Sequence, residues 1–161
     1  MSRQDALFQL GMDLDLRSST AQEESLVPAL ATASSEERKD FFIVRDGAVC
    51  AGTHLIVDLW GAKRIDDLDW VRATLESCVE AAGATLLHIH LHHFTPNGGV
   101  SGVAVLAESH ISIHSWPERG YAALDVFMCG RADPFKAVAV LATAFGPCRV
   151  DVTTHLRGRA P

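Results

Sequence analysis

Five residues within one stretch of the chain have the chemistry to act on a backbone amide: Ser101, Glu108, Ser109, His114 and Cys129. The centre of the group is the Glu108-Ser109 bond, inside Leu106-Ala-Glu-Ser-His-Ile-Ser-Ile-His-Ser-Trp-Pro-Glu118. A serine with a histidine suggests a hydrolase triad. That reading is not favoured, because G-x-S-x-G is missing and Ser109 lies in strand-like sequence instead of a strand-to-helix elbow. A second use fits better. The Ser109 hydroxyl attacks the Glu108 carbonyl and turns the amide into an ester. β-Elimination frees Glu108 as a carboxyl terminus and leaves dehydroalanine at 109, which hydrolyses to a pyruvoyl group. Such a step needs a base or hydrogen-bonding partner near Ser109 and donors for the developing oxyanion. His114 is odd-spaced from Ser109 and falls on the opposite face of a regular strand, so meeting within one strand requires a bend or bulge.

Histidine forms the other constellation. His88, His90 and His92 alternate on a strand and point to one face, with His93 beside them. Three imidazoles at that period can bind zinc or copper, but no Asp, Glu or Cys in the strand completes a site of about four ligands. A polar strand face or an interface is the simpler reading, and no metal is expected. Cys50, Cys78, Cys129 and Cys148 are scattered without a CxxC pair, so free thiols are expected in place of a disulfide or zinc framework.

The elements that must position these residues begin after a polar lead-in. Residues 1–40 read as a loosely held or docked N-terminal extension, in which Leu7, Phe8, Leu10 and Met12 could dock, and 41–161 as one domain. Thr53–Trp60 predicts a strand ended by Gly61. Asp67–Ala82 carries the stripe Leu68, Val71, Leu75, Cys78, Val79 and Ala82, with Gly83 as its stop, and predicts a helix. Strands follow over Thr85–Phe94, Val100–Ala107, His110–Trp116 and Tyr121–Met128, with a turn at Pro96–Gly99. Asp133-Pro134 is an N-cap and first-turn pair for a helix to about Phe145, with Gly146 after it, and Arg149–His155 predicts a last strand. Short turns between many strands predict an α+β fold: a two-layer α/β sandwich, its sheet mainly antiparallel, with two helices on one face. The other face then needs cover, which suggests a dimer.

Composition narrows the function classes. The 161 residues are 48% apolar and 21% charged, ordinary for a globular protein. A net charge of −6 without a Lys/Arg cluster argues against nucleic acid and leaves a cationic small molecule unrepelled. No apolar run is long enough to span a membrane, and the N-terminus lacks a signal-peptide pattern, so the expectation is a cytoplasmic protein without a membrane partner.

Three segments carry a resemblance. Gly52-Thr-His-Leu-Ile-Val-Asp-Leu-Trp-Gly61, the run Ala107–Glu118 and Gly120-Tyr-Ala-Ala-Leu-Asp-Val-Phe-Met-Cys-Gly130 together resemble the prokaryotic S-adenosylmethionine decarboxylases, small pyruvoyl-dependent enzymes of polyamine and spermidine synthesis. The similarity spans about residues 50–157. It implies self-cleavage between Glu108 and Ser109, giving a β chain of 1–108 and an α chain of 109–161 headed by a covalent pyruvoyl cofactor. It implies that Ser101 and His114 assist processing, that Cys129 is the proton donor in decarboxylation, that Glu118 holds the substrate ribose and that Phe94 stacks on adenine. The substrate amine would form a Schiff base with the ketone at 109, and the conjugated amide would accept the electrons left by carbon dioxide, as pyridoxal phosphate does. A thiol with a reference pKa of about 8.5 can return the proton near neutral pH. The family fold implies a homodimer of processed chains packed sheet against sheet. Alone, Cys129 reads as a buried cysteine, His114 as a core histidine and Glu118 as a surface carboxylate.

Two features depart from the family pattern. Phe94-Thr-Pro-Asn-Gly-Gly-Val-Ser101 has one residue more between the aromatic and the serine, and the N-terminal extension is additional. Related enzymes use the same machinery on ornithine or arginine, which would reassign Phe94 and Glu118. An unprocessed, non-catalytic paralogue is the alternative from another class.

Overall fold

Alternation of apolar and polar residues along the strands builds the sheet that carries Ser101, Ser109, His114 and Cys129 and the turns that hold Phe94, Glu108 and Glu118. The computed structural model describes residues 41–159, all within one unit, Glu37–Pro161; the expected extension of 1–40 lies outside the described residues. The chain runs β1 (Ile43–Arg45), β2 (Ala48–Cys50), β3 (Gly52–Trp60), α1 (Leu68–Ala82), β4 (Leu86–His93), β5 (Val100–Leu106), β6 (Ser109–Trp116), β7 (Tyr121–Cys129), α2 (Pro134–Phe145) and β8 (Arg149–Arg157). β1 and β2 form a separate hairpin, and the main sheet has the order β4-β5-β6-β7-β3-β8 with every neighbour antiparallel. The expected α+β sandwich is the observed one.

Period-two patterning sets the two faces. Leu55, Val57 and Leu59 of β3, Ile111 and Ile113 of β6, and Ala122, Leu124, Val126 and Met128 of β7 are buried. Val71, Leu75 and Cys78 of α1 and Ala137, Leu141 and Phe145 of α2 close the same core. Each buried Leu, Ile or Val contributes on the order of 1.5–3 kcal/mol relative to exposure. The alternate residues, among them His54, Asp58, Ser101, His114, Asp125 and Cys129, lie on the opposite face, which no helix of the described residues covers.

Local chemistry sets the helix ends. The Asp67 carboxylate accepts from the Trp70 N–H at 3.0 Å and starts α1. Asp133 accepts from the Phe135 N–H at 3.1 Å and starts α2. Such a cap is worth about 1 kcal/mol. Gly83 and Gly146 stop the helices in the left-handed conformation, at φ 70° and 51°. All four cysteines are free; Cys50 and Cys78 are buried and Cys148 is exposed. Burial pushes the Cys78 thiol up to about 12, consistent with a core side chain instead of a reactive one. No helix of the described residues is long and apolar enough to cross a membrane.

Candidate active site

The candidate residues gather at the two ends of β6. At the first end, β5 and β6 are joined by a two-residue turn, Ala107-Glu108, with Leu106 paired to Ser109. Ser109 also pairs with Met128 of β7, so Cys129 is one residue away on the neighbouring strand. The Glu108 carbonyl oxygen accepts the Cys129 backbone N–H at 2.9 Å. That donor stands where negative charge would develop if the carbonyl were attacked. Ser109 has φ 138°. Asp46 and Arg64, at 51° and 57°, sit near the left-handed minimum, whereas Ser109 is far from it. A residue held there stores on the order of 1–3 kcal/mol.

At the second end, β5 and β6 bring Ser101 opposite His114, and Ser101 Oγ lies 2.9 Å from His114 Nδ1. A cavity of about 390 Å³ opens beside the pair, lined among others by Phe94, Ser101, His114, Trp116 and Glu118. Glu118 reaches it from a single 3-10 turn, Pro117–Arg119. The longer turn before β5 folds upon itself. Gly98 N–H donates to the Phe94 carbonyl and Phe94 N–H to the Gly99 carbonyl, both at 2.8 Å. Gly98 takes φ 72°, and a Cβ on Gly99 would stand 2.8 Å from the Ser115 carbonyl oxygen. The additional residue is absorbed in the turn, and Phe94 stays on the cavity.

No bend or bulge brings His114 to Ser109. The β6–β7 register runs unbroken from Ser109↔Met128 to Trp116↔Tyr121, and among the main-sheet pairs the one register shift lies between Leu86 and His88. Five residues of strand separate Ser109 from His114 by roughly 17 Å. The structure therefore joins Ser101 with His114, and Glu108 and Ser109 with Cys129, and keeps the two groups apart within one chain.

Between the ends lies a bonded polar network. His54 Nδ1 is 3.1 Å from Arg157 Nη1, and a guanidinium can only donate. His54 Nε2 therefore carries the hydrogen that Asp125 accepts at 3.0 Å, while Ser112 Oγ donates to the other Asp125 oxygen at 3.1 Å. His110, beside His54 and Phe127, is held below the ordinary histidine value by burial first, then by the nearby His54, with Asp125 opposing. Toward the cavity, Trp116 stacks on Tyr121 at 5.3 Å and Tyr121 packs on Trp60 at 4.5 Å. The Tyr121 hydroxyl donates to Asp58 at 2.5 Å, which raises the phenol to about 12.

The histidine strand binds its neighbours differently from the metal alternative: His92 lies edge-on to the Phe94 ring at 4.6 Å. Among the described residues no group of three His, Cys, Asp or Glu is placed to hold a metal ion. Sequence reasoning missed Thr85, which bonds Glu108 from 23 residues away, and Ser115, whose hydroxyl donates to the Ile65 carbonyl at 2.7 Å behind the cavity. A threonine before a strand and a serine within one carry no local signal of such roles.

The chain is similar to known proteins of one family. The sequence profile of the family described as S-adenosylmethionine decarboxylase matches residues 53–158. The S-adenosylmethionine decarboxylase proenzyme of Thermomicrobium roseum is 47% identical over 108 residues, covering 66% of this chain and 93% of that protein. The proenzyme of the same description from Persephonella marina is 44% identical over 113 residues, covering 68% and 84%. The crystal structure of the adenosylmethionine decarboxylase from Aquifex aeolicus superposes with a TM-score of 0.64 at 39% identity, over 70% of this chain and 94% of that one. The matched region contains both groups of candidate residues, and the chain belongs to the S-adenosylmethionine decarboxylase family.

Proposed function

We propose that this chain is a proenzyme that cuts itself between Glu108 and Ser109 and then decarboxylates S-adenosylmethionine with a pyruvoyl group made from Ser109. The observation that carries the reading is the scissile peptide itself: Ser109 at φ 138°, with the Glu108 carbonyl held by the Cys129 N–H at 2.9 Å. The Ser109 hydroxyl adds to that carbonyl and the C–N bond breaks, leaving Glu108 as an ester on Oγ. Loss of the α-proton expels the Glu108 carboxylate, and water then replaces the nitrogen, released as ammonia. The Cys129 N–H holds the oxyanion of the first step. These residues fit the group: a serine with a strained backbone, an activated carbonyl and a thiol beside it.

The pyruvoyl group supplies an electron sink conjugated to the carbon that loses its carboxyl group. The other roles belong to side chains. Cys129 holds the proton that replaces the carboxyl group. Phe94 offers a face for the adenine, half exposed at 50%, and Glu118 offers a carboxylate to the ribose hydroxyls across the same cavity. Ser101 and His114 form the acid–base pair.

That pair lies roughly 17 Å from the bond it would serve. A second copy, packed open face to open face and running the other way, supplies it. In such a homodimer each catalytic centre takes Glu108, Ser109 and Cys129 from one chain and Ser101, His114, Phe94 and Glu118 from the other. Ile56, Trp60, Val105 and Trp116, all exposed on this face, are the apolar surface that such packing would cover.

Mass spectrometry of the purified protein, with carbon dioxide release measured separately from carboxyl-labelled S-adenosylmethionine, ornithine and arginine, tests the reading. The expected result is two chains, 1–108 and a pyruvoyl-headed 109–161, with release from S-adenosylmethionine. A chain that stays whole, or release from an amino acid alone, would overturn it.

A further inference from the structure

Glu108 is gripped by its side chain as well as by its carbonyl. The Thr85 backbone N–H donates to Glu108 Oε2 at 2.8 Å, and the Thr85 hydroxyl donates to Oε1 at 3.2 Å. The Thr85 carbonyl in turn accepts the Ala107 N–H at 3.0 Å. One residue, just ahead of β4, thus makes three hydrogen bonds to both residues of the β5–β6 turn.

The turn is one that needs holding. Two-residue hairpin turns match the twist of their strands when the central residues adopt positive φ. Neither Ala107 nor Glu108 does so; the positive angle falls on the next residue, Ser109, at 138°. The misfit of the turn is therefore carried at the proposed scissile bond. With Thr85 on the side chain and the Cys129 N–H on the carbonyl, Glu108 has little freedom to rotate and relieve Ser109.

We propose that Thr85 is a positioning residue for self-cleavage: it clamps the Glu108 carboxylate so that the Glu108-Ser109 peptide stays strained and its carbonyl stays on the Cys129 N–H. The inference rests on the scission reading above and adds to it a residue outside the cavity. Thr85 does not line the cavity, so its effect belongs to the cleavage step and not to turnover by chains already cleaved.

Pulse-labelled full-length chain, followed from intact to two fragments on a denaturing gel, reads the step directly. Thr85→Val, which keeps the shape and removes the hydroxyl, slows cleavage about five- to tenfold, the loss expected of one exposed hydrogen bond. Thr85→Ser restores the rate to within about twofold, since only the methyl is lost. In a Glu108→Ala background Thr85→Val has no further effect, because its partner is gone. Carbon dioxide release per cleaved chain is unchanged in Thr85→Val. Cleavage of Thr85→Val at the wild-type rate, or an equal slowing in the Glu108→Ala background, would overturn the clamp while leaving the scission reading intact. A wild-type chain that never splits overturns both. Should Thr85→Val not fold, Thr85→Ser together with Glu108→Ala decides: a slow Thr85→Ser, or a Glu108→Ala chain cleaved at the wild-type rate, contradicts the clamp.

Discussion

The two ends of β6 hold complementary halves of the proposed reaction. The Ser109 end has the bond proposed to break, a strained backbone, an amide donor and a thiol. The Ser101–His114 end has an acid–base pair, an aromatic-lined cavity and a carboxylate, and its backbone is regular strand. Strain and chemistry are separated along the same strand. An unbroken β6 cannot fold one end onto the other, so in the proposed reaction a second chain completes the site. Regular strand also suits a stacked sheet interface, because alternating side chains present a continuous surface.

The difference can be broken most severely at the first end. Ser109→Ala removes the nucleophile, and both fragments and carbon dioxide release are expected to fall by more than about 10³-fold. Fragments in that variant would remove Ser109 from the mechanism. Next is Cys129→Ala, which separates two contributions of one residue. Its N–H stays on the Glu108 carbonyl, so the chain is expected to split, while loss of the thiol lowers decarboxylation by about 10²–10⁴-fold. Equal loss of both on a gel and in carbon dioxide release would contradict the division between main chain and side chain.

At the second end, Phe94→Ala and Glu118→Gln should leave cleavage intact and raise KM for S-adenosylmethionine about tenfold or more, the cost of a stacked ring or a charged hydrogen bond. Steady-state kinetics on processed protein checks this. The smallest effect lies between the ends. His110 has its folded value lowered, so the folded chain prefers the neutral ring. Its stability contribution is complete above the unfolded value of about 6.5 and declines as pH falls below it. Thermal melts at pH 7.5 and 5.5 should show a fall that His110→Gln reduces.

Local chemistry made much of the fold legible. Asp67, Gly83, Asp133-Pro134 and Gly146 mark helix ends through hydrogen bonds made within a few residues, and the structure uses them as such. The alternation in Tyr121–Cys129 likewise shows its two faces directly. The β1–β2 hairpin had a signal, Asp46-Gly47 with positive φ at both residues, that the sequence reading did not take up. Strand order and long-range pairing were beyond local reading. The Ser101–His114 contact depends on β6 starting at Ser109, so that a two-residue turn sets the register; a strand starting at His110 would slide the partners. The requirement for a bulge between Ser109 and His114 assumed one chain, and nothing in residue spacing distinguishes a partner in the same chain from one in a second copy. Thr85 escaped notice because its bond to Glu108 is created by β4 lying beside β5, a fact of topology.

The central claim is that the two ends act together across two chains. Co-expression of a Ser109→Ala chain with a differently tagged His114→Ala chain tests it most directly. Neither can form a complete centre alone, but a mixed dimer has one: Ser109 from the second chain and His114 from the first. The prediction is that each variant alone stays whole, while in the mixture the His114→Ala chain splits and activity returns to about a quarter of wild type, as random pairing gives. A His114→Ala chain that splits unaided, or a mixture that stays whole, would contradict it.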